Sequence, residues 1–176
     1  LPGIGFITDF SSFSLFGGVH RGFTPPSSGA LKIVNFGEDI SEGGLDLKAE
    51  KSWNKEIGIR GELSVIEFEF SGFHISIEDM VAAGRGTAFK NLGKVNTMGL
   101  EARAALGFSE INKFLPNVDV SYSFLNTEVV DGRIISNVAG SFGSEVDISG
   151  KQLPYAPAHT MMVGIFSSLN DRLSIR

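Results

Sequence analysis

The sequence has no cysteine, which excludes a disulfide scaffold, a thiolate zinc site, an iron–sulfur cluster and a cysteine nucleophile. It is short of positive charge, with 15 basic against 20 acidic residues in 176 and a formal net charge of −5. A nucleic-acid-binding domain would concentrate Lys and Arg on one face, so no nucleic-acid partner is expected. No apolar run approaches the roughly 18 residues of a membrane-crossing helix. At Leu1-Pro2-Gly3 there is no basic start leading into an apolar core, so no signal peptide opens the chain, and both ends read as cut from something longer. Only three histidines occur, His20, His74 and His159, in separate segments and without a two-histidine ligand spacing, so neither a metal site nor a cofactor is expected. What the chain does have is 22 Gly and 15 Phe with 20% charged residues, at a mean hydropathy of +0.12.

Much of that apolar content alternates with polar residues at a period of two, the mark of strands with two chemically different faces. In 117–124, Val118, Val120, Tyr122 and Phe124 point one way and Asp119, Ser121 and Ser123 the other. In 98–106, Met98, Leu100, Ala102, Ala104 and Leu106 alternate with residues that include Glu101 and Arg103. In 55–60, Ile57 and Ile59 oppose Glu56, Gly58 and Arg60. The segment 65–80 changes phase, with Ile66, Phe68 and Phe70 apolar at even positions and Phe73, Ile75 and Ile77 at odd ones. Either a bulge near Ser71-Gly72 or a change of surroundings along the strand would produce this, and the bulge is the expectation, with Gly72 as its permissive residue. Further strands are expected at 4–8, 12–22, 159–167 and 172–176.

The connections then run short (9–11), long (23–49), short (61–64), long (81–96), intermediate (108–116), long (125–158) and short (169–171). Adjacent antiparallel strands send alternate connections to opposite ends of a sheet, so nearly all the long loops fall at one end. A transmembrane β-barrel has this asymmetry, with short periplasmic turns and long extracellular loops. A soluble sandwich or jelly roll shares the alternation but has little reason to keep the loop rhythm, which favours the barrel. Phe13, Phe16, Trp53, Tyr122 and Phe166 are candidates for its aromatic girdles. The Gly/Ser-rich tracts 25–30 and 140–150 read as mobile loop tips.

Five segments carry a family resemblance: 19–27 (VHRGFTPPS), 47–60 (LKAEKSWNKEIGIR, with Ala49 where proline is usual), 72–80 (GFHISIEDM), 91–101 (NLGKVNTMGLE) and 153–159 (LPYAPAH). In this order along nearly the whole chain they resemble the TonB-dependent outer-membrane receptors, especially the ferric-citrate branch. The resemblance implies an all-β antiparallel transmembrane barrel of about 22 strands, filled by an N-terminal plug, in the outer membrane of a Gram-negative-type bacterium. It implies uptake of a ferric chelate, citrate or siderophore-like, energised by the TonB complex acting through the plug. Residues 1–176 are then the C-terminal portion of that barrel, some seven or eight strands. The plug domain and TonB box are absent from the chain, and Leu173-Ser174-Ile175-Arg176 lacks the usual terminal aromatic residue.

A chelate arrives with its iron already wrapped, so the protein recognises an anion and need not ligate the metal. Loop cations provide charge-assisted hydrogen bonds for that task. The candidates are Arg85, Lys90, Arg133 and Lys151, with Gln152 beside the last; the same residues suit solvation or the phosphates of lipopolysaccharide. Glu56, Arg60, Glu101 and Arg103 lie on the polar faces and are expected to face the lumen and plug, chiefly as cross-strand charge pairs. Glu67 and Glu69 share a face with no partnered histidine or nucleophile, and Gly84-Arg85-Gly86 and Gly17-Gly18 do not lead a strand into a helix, so no enzyme is expected. The competing reading is an outer-membrane or secreted β-sheet adhesin or binding module that holds protein or glycan in its long loops.

Overall fold

The computed structural model describes residues 1–27, 47–83, 89–136, 138–140, 143–154, 156–170 and 173–175. Its strands in chain order are β1 (Gly3–Asp9), β2 (Phe13–Thr24), β3 (Glu50–Leu63), β4 (Ile66–Glu78), β5 (Val81–Ala83), β6 (Phe89–Asn91), β7 (Gly93–Leu106), β8 (Asn117–Ile135), β9 (Glu145–Asp147), β10 (His159–Asn170) and β11 (Leu173–Ile175). Eight of them form one antiparallel sheet in the order β1-β2-β3-β4-β7-β8-β10-β11, β9 pairs with β8, and β5 with β6 makes a separate small hairpin. The sheet does not close on itself, and β1 and β11 are its edges. Among the described residues no helix is long and apolar enough to cross a membrane, a statement that does not touch strands.

Register divides the chemistry between two faces, because residues paired across an antiparallel ladder project to the same side. One row runs Gly17, Ile57, Gly72, Leu100, Phe124, His159; the next in the same direction runs Val19, Lys55, His74, Met98. This face carries Leu15, Ile59, Phe68, Phe70, Val118, Val120, Val163 and Ile165 below those rows and is apolar there. Among the described residues no second layer lies against it: Ile57 is 65% exposed and Ile165 57%. A water-soluble sheet would cover such a surface, whereas hydrocarbon solvates it. The opposite face carries Asp9, Ser14, Glu56, Arg60, Glu62, Glu67, Glu69, Glu101, Arg103 and Asp119.

The tight connections all lie at one end. The β3–β4 hairpin turns on Ser64 and Val65, with Ser64 at φ 55, the positive φ that hairpin turns of primed type require at their first loop position. The long connections collect at the other end, and the fully buried apolar side chains Val95 and Val129 lie there, with Leu92 close behind.

Several sequence expectations change in the structure. β4 pairs at constant register with β3 from Ile66 to Glu78 and with β7 from Ile66 to Ile77, so no bulge exists at Ser71-Gly72. The change of phase records a change of surroundings instead. Ile66, Phe68 and Phe70 lie on the bare apolar face, while Phe73, Ile75 and Ile77 lie on the opposite one, where Ile77 shares a row with Val95 and Val129. Register shifts occur elsewhere: between Ser168 and Asn170 against β11, and between Lys94 and Val95 against β8, beside Gly93 at φ 110, where a Cβ on Gly93 would collide with the Asp131 carbonyl. The loop expected over 125–158 begins only after Ile135 and contains β9, and 81–96 holds β5, β6 and the start of β7. Phe16 and Phe166 leave the girdle set because they lie on the polar face, their rings over Gly58 and Gly164, where a ring covers backbone that no side chain shields. Phe13, Trp53 and Tyr122 are on the apolar face. Of the two glycine-rich tracts, 28–30 and 141–142 lie outside the described residues, and 145–147 is strand.

Candidate functional site

On the polar face toward the tight turns, register alone builds a charge pattern. Arg60 pairs with Glu69 and Glu69 with Arg103, giving a row of alternating sign across β3, β4 and β7. Glu62 and Glu67 pair in the adjacent row. The Arg103 guanidinium donates to Asp119 Oδ2 at 2.8 Å from the neighbouring strand, and the Arg60 guanidinium stands 5.7 Å from the centre of the Phe16 ring. Arg60, Glu62, Glu67, Glu69 and Arg103 line a polar basin of about 700 Å³ with the β1–β2 turn at its rim. Glu101 lies one row above, paired with the buried Ser71, and Glu56 two rows above Arg60. All four residues assigned to the interior from the sequence thus share one face, but only Arg60 and Arg103 reach the basin. Such an arrangement can dock a polar surface of complementary charge; it contains no nucleophile and base in contact.

At the long-loop end, side chains tie the connections to one another. Asn91 receives the Lys48 amide on Oδ1 at 2.9 Å and donates through Nδ2 to the Lys48 and Asp79 carbonyls at 3.0 and 2.6 Å. Glu50 Oε1 accepts the Val81 amide at 2.7 Å. The base of the β2–β3 connection is therefore clamped to the β4–β7 connection by a three-bond amide and a carboxylate. Both halves of the clamp fall in the recognisable segments 47–60 and 91–101.

The third long connection folds back along the free side of β8. Ile148 donates to the Gly132 carbonyl at 2.9 Å, Gly150 to Val129 at 2.8 Å, Val129 to Lys151 at 2.8 Å and Leu125 to Ala158 at 2.9 Å, and Leu153 donates to Thr127 Oγ1 at 3.0 Å. This puts Arg133, Lys151 and Gln152 on one protrusion, all exposed. Arg133 lies 3.8 Å from Glu145 Oε2 and opposite Asp147 in the β8–β9 ladder. Asp147 is held below the usual carboxylate range by hydrogen bonds from the Ser149 side chain and amide, with Arg133 adding a smaller attraction. Lys90 is in β6 across the small hairpin, its side chain outside the described residues, and Arg85 lies outside them altogether. Among the described residues no group of three His, Asp or Glu stands close enough to hold a metal ion.

Sequence reading missed Glu69, Asp119 and Asn91 as members of these arrangements. The first had a signal: a two-residue turn at Ser64-Val65 sets every β3–β4 pair, and so places Glu69 opposite Arg60. Asp119 and Asn91 act diagonally or across connections, which no local pattern reveals.

The chain matches the family model described as TonB dependent receptor-like, beta-barrel over residues 1–172. No curated protein sequence matches it. Among solved structures it is similar to the ferric yersiniabactin uptake receptor FyuA from Yersinia pestis, at 18% identity and TM-score 0.63 over 97% of this chain and 23% of that one. The copper transporter OprC superposes with TM-score 0.66 at 14% identity, over 96% and 25% of the two chains. The pyoverdine outer membrane receptor FpvA from Pseudomonas aeruginosa PAO1 gives 0.61 at 18% identity, over 98% and 23%. The chain thus spans about a quarter of the length of these relatives, and their likeness is one of fold. With the family model covering all but its last four residues, the chain belongs to the TonB-dependent receptors, as a part of their β-barrel.

Proposed function

We propose that the chain is the C-terminal part of the barrel wall of an outer-membrane receptor that takes up a ferric chelate, citrate or a siderophore, in a Gram-negative-type bacterium, with energy from TonB. The observation that carries this reading is the division of one sheet into a bare apolar face and a charged face, with all long connections at one end. A wall with those properties separates hydrocarbon from a wet or filled interior and presents loops to the outside. The polar basin around Arg60, Glu69 and Arg103 suits contact with a plug domain. Arg133, Lys151 and Gln152 on the β8 protrusion suit an anionic chelate, since two cations and an amide can hold carboxylate or catecholate oxygens while the chelate holds the iron. The reaction is transport, with no bond made or broken by this chain.

The test uses the full receptor gene. Cells lacking it, grown under iron limitation, are given radiolabelled ferric citrate, a ferric hydroxamate, a ferric catecholate and cupric ion in separate arms, with and without a protonophore. The expected result is loss of uptake for one ferric arm, restored by the wild-type gene and abolished by the protonophore. Restored uptake that survives the protonophore overturns the energised mechanism, and a loss confined to copper overturns the ferric assignment. Removing both Arg133 and Lys151 as glutamines weakens chelate binding about tenfold or more if each supplies a charge-assisted hydrogen bond.

A further inference from the structure

The apolar face is not featureless where it meets the long-loop end. Between the row Ile57, Gly72, Leu100, Phe124 and the row Val19, Lys55, His74, Met98 runs a trough of about 810 Å³ with an apolar lining. Gly72 contributes no side chain to it, which is why the trough continues across β4. Immediately above, on the same face, are Arg21, Lys51 and Trp53: Arg21 pairs with Trp53 and Lys51 with Phe23 in the β2–β3 ladder. The Arg21 guanidinium lies 5.6 Å from the centre of the Trp53 ring. Lys51 and Lys55 flank Trp53 on β3, two residues to either side, and both are exposed. Glu78 is the acidic residue on this patch, opposite Lys51 in register; no described carboxylate forms an ion pair with Arg21, Lys51 or Lys55. The patch keeps net positive charge.

Three cations and a tryptophan standing directly over a greasy channel have the polarity of one kind of molecule, an anionic lipid. We infer that this face holds one phosphorylated lipid of the outer leaflet, with its phosphate among Arg21, Lys51 and Lys55 and an acyl chain lying in the trough past Ile57 and Leu100. The inference rests on the reading of the apolar face as the hydrocarbon-facing side of a membrane wall. A barrel strand tilts about 35–45° from the membrane normal, so a row running across the strands is itself inclined, and a chain descending from the headgroup can follow it. Long cationic side chains at a membrane boundary reach outward to phosphate while their stems cover apolar surface. Trp53 supplies the amphipathic ring that belongs at that depth.

The test is native mass spectrometry of the full receptor extracted from outer membranes in mild detergent, followed by titration with three defined lipids: deep-rough lipopolysaccharide, the same material with its phosphates removed, and phosphatidylcholine. The wild type should retain and rebind one phosphorylated glycolipid in preference to the other two. Changing Arg21→Gln, Lys51→Gln and Lys55→Gln together should lower that affinity about a hundredfold, at roughly a factor of five for each cation. Gly72→Val, which fills the trough and leaves the charges in place, should weaken the intact lipid while binding of inorganic phosphate stays as in wild type. Equal retention by the triple variant, or equal affinity for phosphatidylcholine, overturns the lipid site. Should the triple variant not reach the membrane, Lys55→Gln alone decides, with a fivefold loss expected and no loss overturning it. Failure of the wild type itself to fractionate with the outer membrane would instead refute the membrane reading beneath the proposal.

Discussion

At the scale of single residues, the Arg103–Asp119 pair shows how much solvent decides. Its side chains are 65% and 29% exposed, and a pair in that setting is worth less than about 1 kcal/mol. If a plug covers the basin, water leaves and the coupling grows. A double-mutant cycle with Arg103→Gln and Asp119→Asn, read as denaturation midpoints of the full receptor with and without its plug, should give a coupling of under about 1 kcal/mol without the plug and a larger one with it. Equal couplings would place the pair outside any plug contact. Asp147 gives a pH dependence of defined sign. Its native pKa is depressed by the Ser149 hydrogen bonds, so the turn they close is fully stabilised above the ordinary carboxylate pKa of about 3.9 and loses that help as pH falls through the lower native value. Exchange protection of the Ser149 amide should therefore be flat from pH 7 down to about 5 and fall below about 4, and Asp147→Asn should remove the dependence.

At the scale of elements, the three long connections are held by different means. The β8 protrusion has a ladder of backbone bonds, while the first two connections depend on Asn91 and Glu50. Asn91→Ala removes three hydrogen bonds at a partly buried position and leaves the Lys48 amide without its partner, at a cost of about 1–3 kcal/mol. Faster hydrogen exchange at Lys48, with unchanged exchange at Val129, would confirm that the clamp is local; slowing or no change at Lys48 would refute it. The strands themselves were legible in the sequence because hydrocarbon on one side and charge on the other enforce a period of two, as in 117–124. That legibility ended where both faces see protein or water. Ile75 and Ile77 look out of phase, and the upper half of β8, 125–135, reads as loop, because Val129 is buried by residues far along the chain. Nothing in the sequence alone singled out Lys55; the ladder places it on the apolar face, in phase with Ile57.

At the scale of the whole molecule, the sheet has two unpaired edges and a bare apolar face. Each unsatisfied backbone group costs several kcal/mol in hydrocarbon, and an open edge in water invites pairing with other chains. Residues 1–176 expressed alone should therefore be insoluble without detergent and sediment as aggregate, whereas the full receptor should give a discrete detergent-soluble barrel; a monodisperse aqueous 1–176 would contradict the assignment of the apolar face. The family and the topology were within reach of sequence because five segments kept their order. The charged basin was not, since it consists of residues from four strands that only a ladder brings side by side.

Every strand of the wall is bonded to the strand that precedes or follows it among the long ones, so the wall can be raised stave by stave in the order of synthesis, each new hairpin templated by the last. Sliding a stave by two residues would preserve the character of both surfaces and lose only matched partners such as Arg60 with Glu69. A slide of one would turn carboxylates and guanidinia outward into oil, so assembly is self-correcting against odd errors and relies on those ionic matches, and on two-residue corners such as Ser64-Val65, to reject even ones.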